Sequence, residues 1–318
     1  MGLVFGMLMG FIATYFLIPP FIDYFRRKKI GQTTREEGPL WHEVKTGTPT
    51  MGGTVFIAVS MVTFLVISIF EQNVSPEVWT LFLTFCLFGG IGFVDDFISI
   101  FKKQNEGLTA KQKFLLQILF SAIVIAVPYL LGLRLHIPLG FTNITHPLLL
   151  IIFAAIWING FSNAVNLTDG LDGLATGLSI IAYSCYGALA YLENNNILFY
   201  MCMAVVSTLL AFLFYNLKPA KIFMGDVGSL ALGAGLAVIS MLLNNPWSLF
   251  IVGIVFILET LSVILQVASF KLRKKRIFKM SPIHHHFEMS GWSETKVVSV
   301  FWGIGLMAAF VFLILILI

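Results

Sequence analysis

The chain has 318 residues, of which 58% are hydrophobic and 11% charged, with a formal net charge of +4 and a mean hydropathy of +0.91. An ordinary soluble domain carries roughly 25% charged residues, so a single water-soluble core is excluded. Three cysteines, Cys86, Cys185 and Cys202, all inside apolar stretches, argue against a disulfide framework and show no metal-pair spacing.

A membrane-crossing helix needs about 20 mostly apolar residues, and hydropathy predicts ten. They run Leu3–Ile22, Gly52–Phe70, Val78–Val94, Phe114–Leu133, Pro147–Gly160, Gly173–Leu192, Ile197–Tyr215, Gly228–Leu243, Leu249–Phe270 and Val297–Ile318. The first has no basic residue before it and no small-residue cleavage site after it, so it reads as a span and not a signal peptide. The fold expected is all-α and polytopic, with residues 1–318 as one transmembrane domain. With this count, 19 of the 20 Lys and Arg residues fall on one side, from Arg26, Arg27, Lys28, Lys29 and Arg35 to Lys296, and only Arg134 on the other. Excess Lys/Arg marks the cytoplasmic face, so both termini are expected outside and the long polar loops inside. The positive charge then reflects orientation and attraction to membrane lipid head groups. No basic stripe interleaved with aromatics points to nucleic acid.

Polar clusters punctuate the inner loops. Gly47-Thr-Pro-Thr-Met-Gly-Gly53, preceded by Lys45, reads either as a turn at the membrane surface or as a loop that brings Lys45 to a phosphate or nucleotide. Asp95-Asp96 closes the third predicted span, where the negative pole of the helix dipole costs each carboxylate about 0.3–1 kcal/mol. An acidic pair can simply end a span. It also suits Mg²⁺, which takes one or two carboxylates plus substrate phosphates. Asn163, Asn166, Asp169 and Asp172 recur every three residues, which aligns them on one side of a helical turn. Turn formation alone would not need two amides and two carboxylates there. Asn216 precedes Phe223-Met-Gly-Asp226-Val-Gly-Ser229, where Asp226 either caps the eighth span or joins glycine amides around a phosphate. Glu259 lies midway along the ninth span, at a cost of about 2.5–3.5 kcal/mol on insertion scales, with Gln266 seven residues on. Pro282-Ile-His284-His285-His286-Phe-Glu288 is internal, and its consecutive side chains do not converge on one metal. With an ordinary pKa near 6.5, these histidines suit proton exchange or phosphate contact. His42, His136 and His146 stand alone.

Taken together and in this order, GTPTMGG, DD, NAVNLTDGLDG, FMGDVGS and PIHHHFE closely resemble the bacterial phospho-N-acetylmuramoyl-pentapeptide transferases, the translocase I family. The likeness covers essentially the whole chain. GTPTMGG and PIHHHFE are the most discriminating parts, and the DD and NxxNxxDG elements are shared across the polyprenyl-phosphate hexosamine-1-phosphate transferases. The resemblance implies a Mg²⁺-dependent homodimer in the bacterial plasma (inner) membrane that converts UDP-MurNAc-pentapeptide and undecaprenyl phosphate to lipid I and UMP. It implies that Asp95, Asp96 and Asp226 hold the metal, surrounded by Asn166, Asp169, Asn216 and His284, His285 and His286. Lys45, Asp172, Phe223, Gly225 and Gln266, with Asn216, would bind the nucleotide, Phe223 by stacking on uracil. Where many relatives have a lysine three residues after the second aspartate, this chain has Ser99; Lys102, Lys103, Lys111 or Lys113 would supply that charge. Two rivals are a sister enzyme for N-acetylglucosamine-1-phosphate, against which PIHHHFE argues, and a transporter using Glu259. The concentration of carboxylates in loops, away from the mid-membrane position of transporter sites, argues against the latter.

Overall fold

The computed structural model describes residues 2–28, 31, 45–102 and 107–317. Lys29, Arg35, His42, Lys103 and Ile318 lie outside the described residues, as does the side chain of Lys102.

Twelve α-helices and one two-stranded hairpin are present among the described residues. They are α1 (Gly2–Arg27), α2 (Gly53–Phe70), α3 (Pro76–Lys102), α4 (Ala110–Leu130), β1 (Ile137–Pro138), β2 (Asn143–Ile144), α5 (Pro147–Thr168), α6 (Leu174–Leu192), α7 (Asn196–Asn216), α8 (Gly225–Leu242), α9 (Leu249–Val252), α10 (Ile254–Arg273), α11 (Ile283–Glu288) and α12 (Glu294–Leu317). All but α9 and α11 are long and apolar enough to cross a membrane, which matches the ten predicted spans.

Local chemistry accounts for the helix ends. The Thr109 hydroxyl accepts from the Gln112 amide while the Gln112 side chain accepts from the Thr109 amide, a reciprocal cap that starts α4. Pro147 opens α5, and the Asn195 side chain accepts from Leu198 N–H at the start of α7. The ninth span is broken at Gly253, which separates the single turn α9 from α10.

Two boundaries differ from expectation in a way that matters. Helix α3 continues past Asp96 to Lys102 and α5 continues past Gly160 to Thr168. The acidic pair is therefore not at a helix end, so the dipole penalty expected there does not apply. Asn163 and Asn166 lie on a helix face and not in a loop. Apolarity ends where lipid ends, but a helix persists as long as neighbouring helices bury its polar turns.

The centre of the bundle is α8, buried at every residue from Val227 to Leu242. Its run of Gly, Ala and Ser lets backbones approach closely, which is how helices associate when lipid removes the hydrophobic drive. It packs on α3 and α5, while α7 packs with α6, α1 and α2. Interhelical hydrogen bonds such as Ser60–Thr208 (2.6 Å) and Trp157 Nε1 to Ser240 Oγ (3.1 Å) add to this packing, each worth about 0.6 kcal/mol in a bundle. Outward faces carry bare apolar side chains, among them Phe16 on α1, Leu261 and Ile264 on α10, and Phe310 on α12, as lipid contact requires. Because successive spans alternate in direction, the C-terminal ends of α3, α5, α7 and α10 gather at one end of the bundle, and the β-hairpin lies at the other.

Candidate active site

At the polar end, α3 and α8 place three carboxylates together. Oxygens of Asp95, Asp96 and Asp226 lie within 4.8 Å of one another. The contact is close because α3 presents Gly92 to the backbone of Asp226 and Val227. Gly225 has a positive φ of 73°, a left-handed conformation natural only to glycine. A Cβ there would also meet Asp96 Oδ2 at 2.5 Å. The chain can therefore enter α8 beside the acidic pair only through glycine.

Lys113 bridges the carboxylates, with Nζ 3.1 Å from Asp95 Oδ2 and 2.6 Å from Asp226 Oδ2. Of the four candidates it is the one brought to this centre among the described residues. Gln117, one turn further along α4, accepts from Asn163 Nδ2 at 3.1 Å, so the same helix face is pinned to α5. The remaining bonds orient each acid. Asn166 Nδ2 donates to Asp226 Oδ1 at 2.7 Å and lies 2.9 Å from Ser229 Oγ, the Leu108 amide donates to Asp95 Oδ1 at 2.9 Å, and the Val227 amide lies 3.4 Å from Asp96 Oδ2. Three carboxylates facing one ammonium leave negative charge in excess. Such a set of hard oxygen donors is compatible with a divalent cation.

A second polar centre has the opposite character. Lys45 Nζ lies 2.6 Å from Asp172 Oδ1 and 2.5 Å from Glu294 Oε1, and Lys218 Nζ lies 2.8 Å from Glu294 Oε2. Two lysines face two carboxylates, so the centre is electrically neutral. Burial alone would lower the Lys45 pKa, but Glu294 and Asp172 outweigh it and hold it above the ordinary lysine value. Phe223, half-buried, is set by backbone alone: its N–H donates to Pro49 C=O (2.8 Å) and its C=O accepts from Gly52 N–H (2.9 Å), which joins GTPTMGG to FMGD. The Asn216 amide is occupied inside the protein, accepting from Thr176 (2.6 Å) and donating to Ile222 C=O (3.0 Å). Gln266 holds the backbone of Ile277 and Phe278 at 2.9–3.0 Å. Both therefore shape loops.

The histidines do not act as one group. His284 is fully buried, its Nδ1 3.1 Å from Glu259 Oε1 and its Nε2 packed against Gly170. The approach gives the ionisable residue in mid-span a polar neighbour. His285 Nδ1 meets Glu288 Oε2 at 3.0 Å, and His286 Nδ1 accepts from the Lys279 amide at 3.1 Å.

Asp169, in the loop after α5, is pushed up to about 7 by burial, with the like charges of Asp226 and Asp172 adding to the effect. The folded chain thus holds a proton that the unfolded chain has already lost above an ordinary aspartate pKa of about 3.9. Stability from this group is present at acid pH and declines as pH rises towards about 7. In metal-free detergent solution, the Tm advantage of Asp169→Asn over the parent is expected to grow by roughly a few degrees between pH 5 and pH 8. A difference that stays constant with pH contradicts this.

Residues 78–244, which contain Asp95, Asp96, Lys113, Asn166, Asp169, Asn216 and Asp226, match the family described as Glycosyl transferase family 4. The chain is thus a membrane-embedded phosphoglycosyl transferase, with an acidic, lysine-bridged centre at one end of its ten apolar helices. The likeness to individual proteins is closer still. The chain is 51% identical over 308 residues to the phospho-N-acetylmuramoyl-pentapeptide-transferase of Lactobacillus gasseri, covering 96% of each chain. It is 53% identical over 307 residues to that of Lactiplantibacillus plantarum, covering 95% of each. With that of Staphylococcus carnosus it shares 52% over 311 residues, 96% of each. The chain belongs to the phospho-N-acetylmuramoyl-pentapeptide transferases.

Proposed function

We propose that the chain transfers phospho-N-acetylmuramoyl-pentapeptide from UDP-MurNAc-pentapeptide to undecaprenyl phosphate, giving lipid I and UMP. An oxygen of the lipid phosphate forms a bond to the sugar-bearing phosphorus, and the bond from that phosphorus to the uridine phosphate breaks. The observation that carries this reading is the pair of contrasting centres. An anionic one bridged by Lys113 suits a metal and the pyrophosphate, and a neutral one, tied through the Ala220 N–H to the chain three residues before Phe223, suits an uncharged base. Phosphoryl transfer asks mainly for positioning and charge neutralisation, which these residues provide. Asp95, Asp96 and Asp226 would hold Mg²⁺, which when bound neutralises charge on the pyrophosphate. Asn166 fixes the Asp226 carboxylate through Oδ1. Asp169 lies beside it, and His285 and His286 serve the phosphates. His284 positions α11 against Asp169-Gly170. Lys45 and Asp172 read the uracil edge and Phe223 stacks on its face. Gly225 gives the phosphates room, while Asn216 and Gln266 hold the loops that line the site.

The deciding assay is UMP release from purified protein given undecaprenyl phosphate. Turnover is expected with UDP-MurNAc-pentapeptide, to vanish with EDTA and to return with Mg²⁺. Equal turnover with UDP-N-acetylglucosamine, or full turnover in chelator, contradicts the reading. We further propose that the protein works as a homodimer in the bacterial plasma membrane with both polar centres on the cytoplasmic face. A cysteine introduced at Lys274 should then be labelled only from the cytoplasm, and one at Asn195 only from outside. Labelling of both from one face overturns that orientation.

A further inference from the structure

Glu294 belongs to none of the motifs that mark the site, yet three bonds meet on it. Its Oε1 accepts from the Asp172 N–H at 2.8 Å and from Lys45 Nζ at 2.5 Å, and its Oε2 accepts from Lys218 Nζ at 2.8 Å. It is itself 5% exposed, at the first turn of α12. The partners come from the loop before α2, the loop between α5 and α6 and the loop after α7, so one carboxylate ties three distant segments to a fourth.

We propose that Glu294 is a positioning residue for base recognition, holding Lys45 and Asp172 in the pose that reads uracil. The proposal rests on the assignment of Lys45 and Asp172 to the nucleotide. The uracil edge offers one N–H and two carbonyl oxygens, so it requires an acceptor beside a donor. A lysine ammonium carries three N–H donors. Two are directed at Asp172 Oδ1 and Glu294 Oε1, which leaves the third for a carbonyl oxygen. Asp172 Oδ1 takes Lys45 and Oδ2 takes the Ala220 amide at 3.0 Å. Each carboxylate oxygen has a second lone-pair site, which remains for the uracil N–H. Without Glu294, Lys45 has one carboxylate instead of two and Asp172 loses the anchor on its own backbone N–H. The donor and acceptor then no longer hold a fixed spacing. Glu294 Oε1 already accepts two bonds, from Lys45 and from the Asp172 N–H, so the carboxylate acts through these partners and not on the substrate.

The test is equilibrium binding of UMP and CMP to the purified protein, with steady-state kinetics alongside. Glu294→Gln keeps the shape and removes the charge. It is expected to weaken UMP about tenfold, to flatten the preference for UMP over CMP, and to raise KM for the UDP-sugar more than it lowers kcat. Lys218→Met/Glu294→Gln restores charge balance, which guards against a single variant that fails to fold. Lys45 keeps Asp172 as its one carboxylate partner in it, so its UMP binding should stay weak. Recovery of UMP binding in the double variant would reduce Glu294 to a charge-balancing role and overturn the inference. So would a Glu294→Gln protein that keeps its UMP preference, or one that loses kcat with KM unchanged. Lys45→Met and Asp172→Asn separate the two levels of argument. If these weaken UMP and Glu294→Gln does not, the inference alone fails. If none of the three does, the base-pocket assignment has failed with it.

Discussion

Asp226→Asn is expected to lose nearly all turnover while leaving uridine-nucleotide binding close to that of the parent protein. Asp226 is the only carboxylate in the anionic centre that meets Lys113, Asn166 and the α3 pair at once. Asparagine keeps its size and, through its amide oxygen, the bond from Asn166, but removes the charge that faces Lys113 and, on the function proposed, a cation. A metal-held phosphoryl oxygen is worth several kcal/mol of charge stabilisation, and each 1.36 kcal/mol is tenfold in rate. A loss of roughly a thousandfold in kcat follows. Phe223→Ala should do the reverse. Base–aromatic stacking is worth about 1–3 kcal/mol, or roughly 5- to 150-fold in Kd, with a smaller effect on kcat. Calorimetric titration with a uridine ligand, run beside the UMP-release assay, reads both. If Asp226→Asn loses uridine binding as severely as Phe223→Ala, the two centres are not functionally distinct.

Gly92→Ala is expected to lower both stability and turnover, whereas Gly90→Ala, two residues away on the same helix, should leave both near the parent's. A Cβ on Gly92 would fall on the backbone of Asp226 and Val227, whereas one on Gly90 meets nothing within 4 Å. Backbone cannot yield as a side chain can, so α3 must move off α8. Overpacking of this kind costs about 1–3 kcal/mol, which for a chain of this size lowers Tm by roughly 1–5 °C. The movement carries Asp95 and Asp96 away from Asp226. A displacement of about 1 Å at a reacting centre can cost 100-fold in rate. Thermal unfolding in detergent and UMP release on the two variants check this. Equal behaviour of both alanines shows that the α3–α8 contact does not set the site.

The number of spans was legible because each one is a window of apolar residues, and lipid makes that signal strong. The ends of α3 and α5 were not, since hydropathy reports where lipid stops and not where a helix stops. The three carboxylates could be picked out because paired or glycine-flanked aspartates are conspicuous between apolar runs. Lys113 could not be chosen over Lys102, Lys103 or Lys111, because only the return of α4 against α3 and α5 decides which lysine comes back to the acids. Glu294 carried no local signal at all: a lone glutamate opening a helix is ordinary, and its importance comes from three partners remote in sequence. The three histidines looked equivalent as letters. Successive side chains on a helical turn point in different directions, and burial against Glu259 separates His284 from the other two.

The backbone pairing between the Pro49–Gly53 segment and Phe223–Met224 makes the site a ruler. Phe223 and Asp226 stand three residues apart on one length of chain, and that length is clamped at Phe223 by Pro49 and Gly52 and at Met224 by Gly53. The main-chain positions from which the Phe223 ring and the Asp226 carboxylate project are thus fixed by covalent geometry and main-chain hydrogen bonds. On the function proposed, the enzyme measures how far a base lies from its pyrophosphate. A nucleotide with one atom inserted between ribose and phosphate would keep both recognition groups and still be refused, since it could seat one end only by misplacing the other.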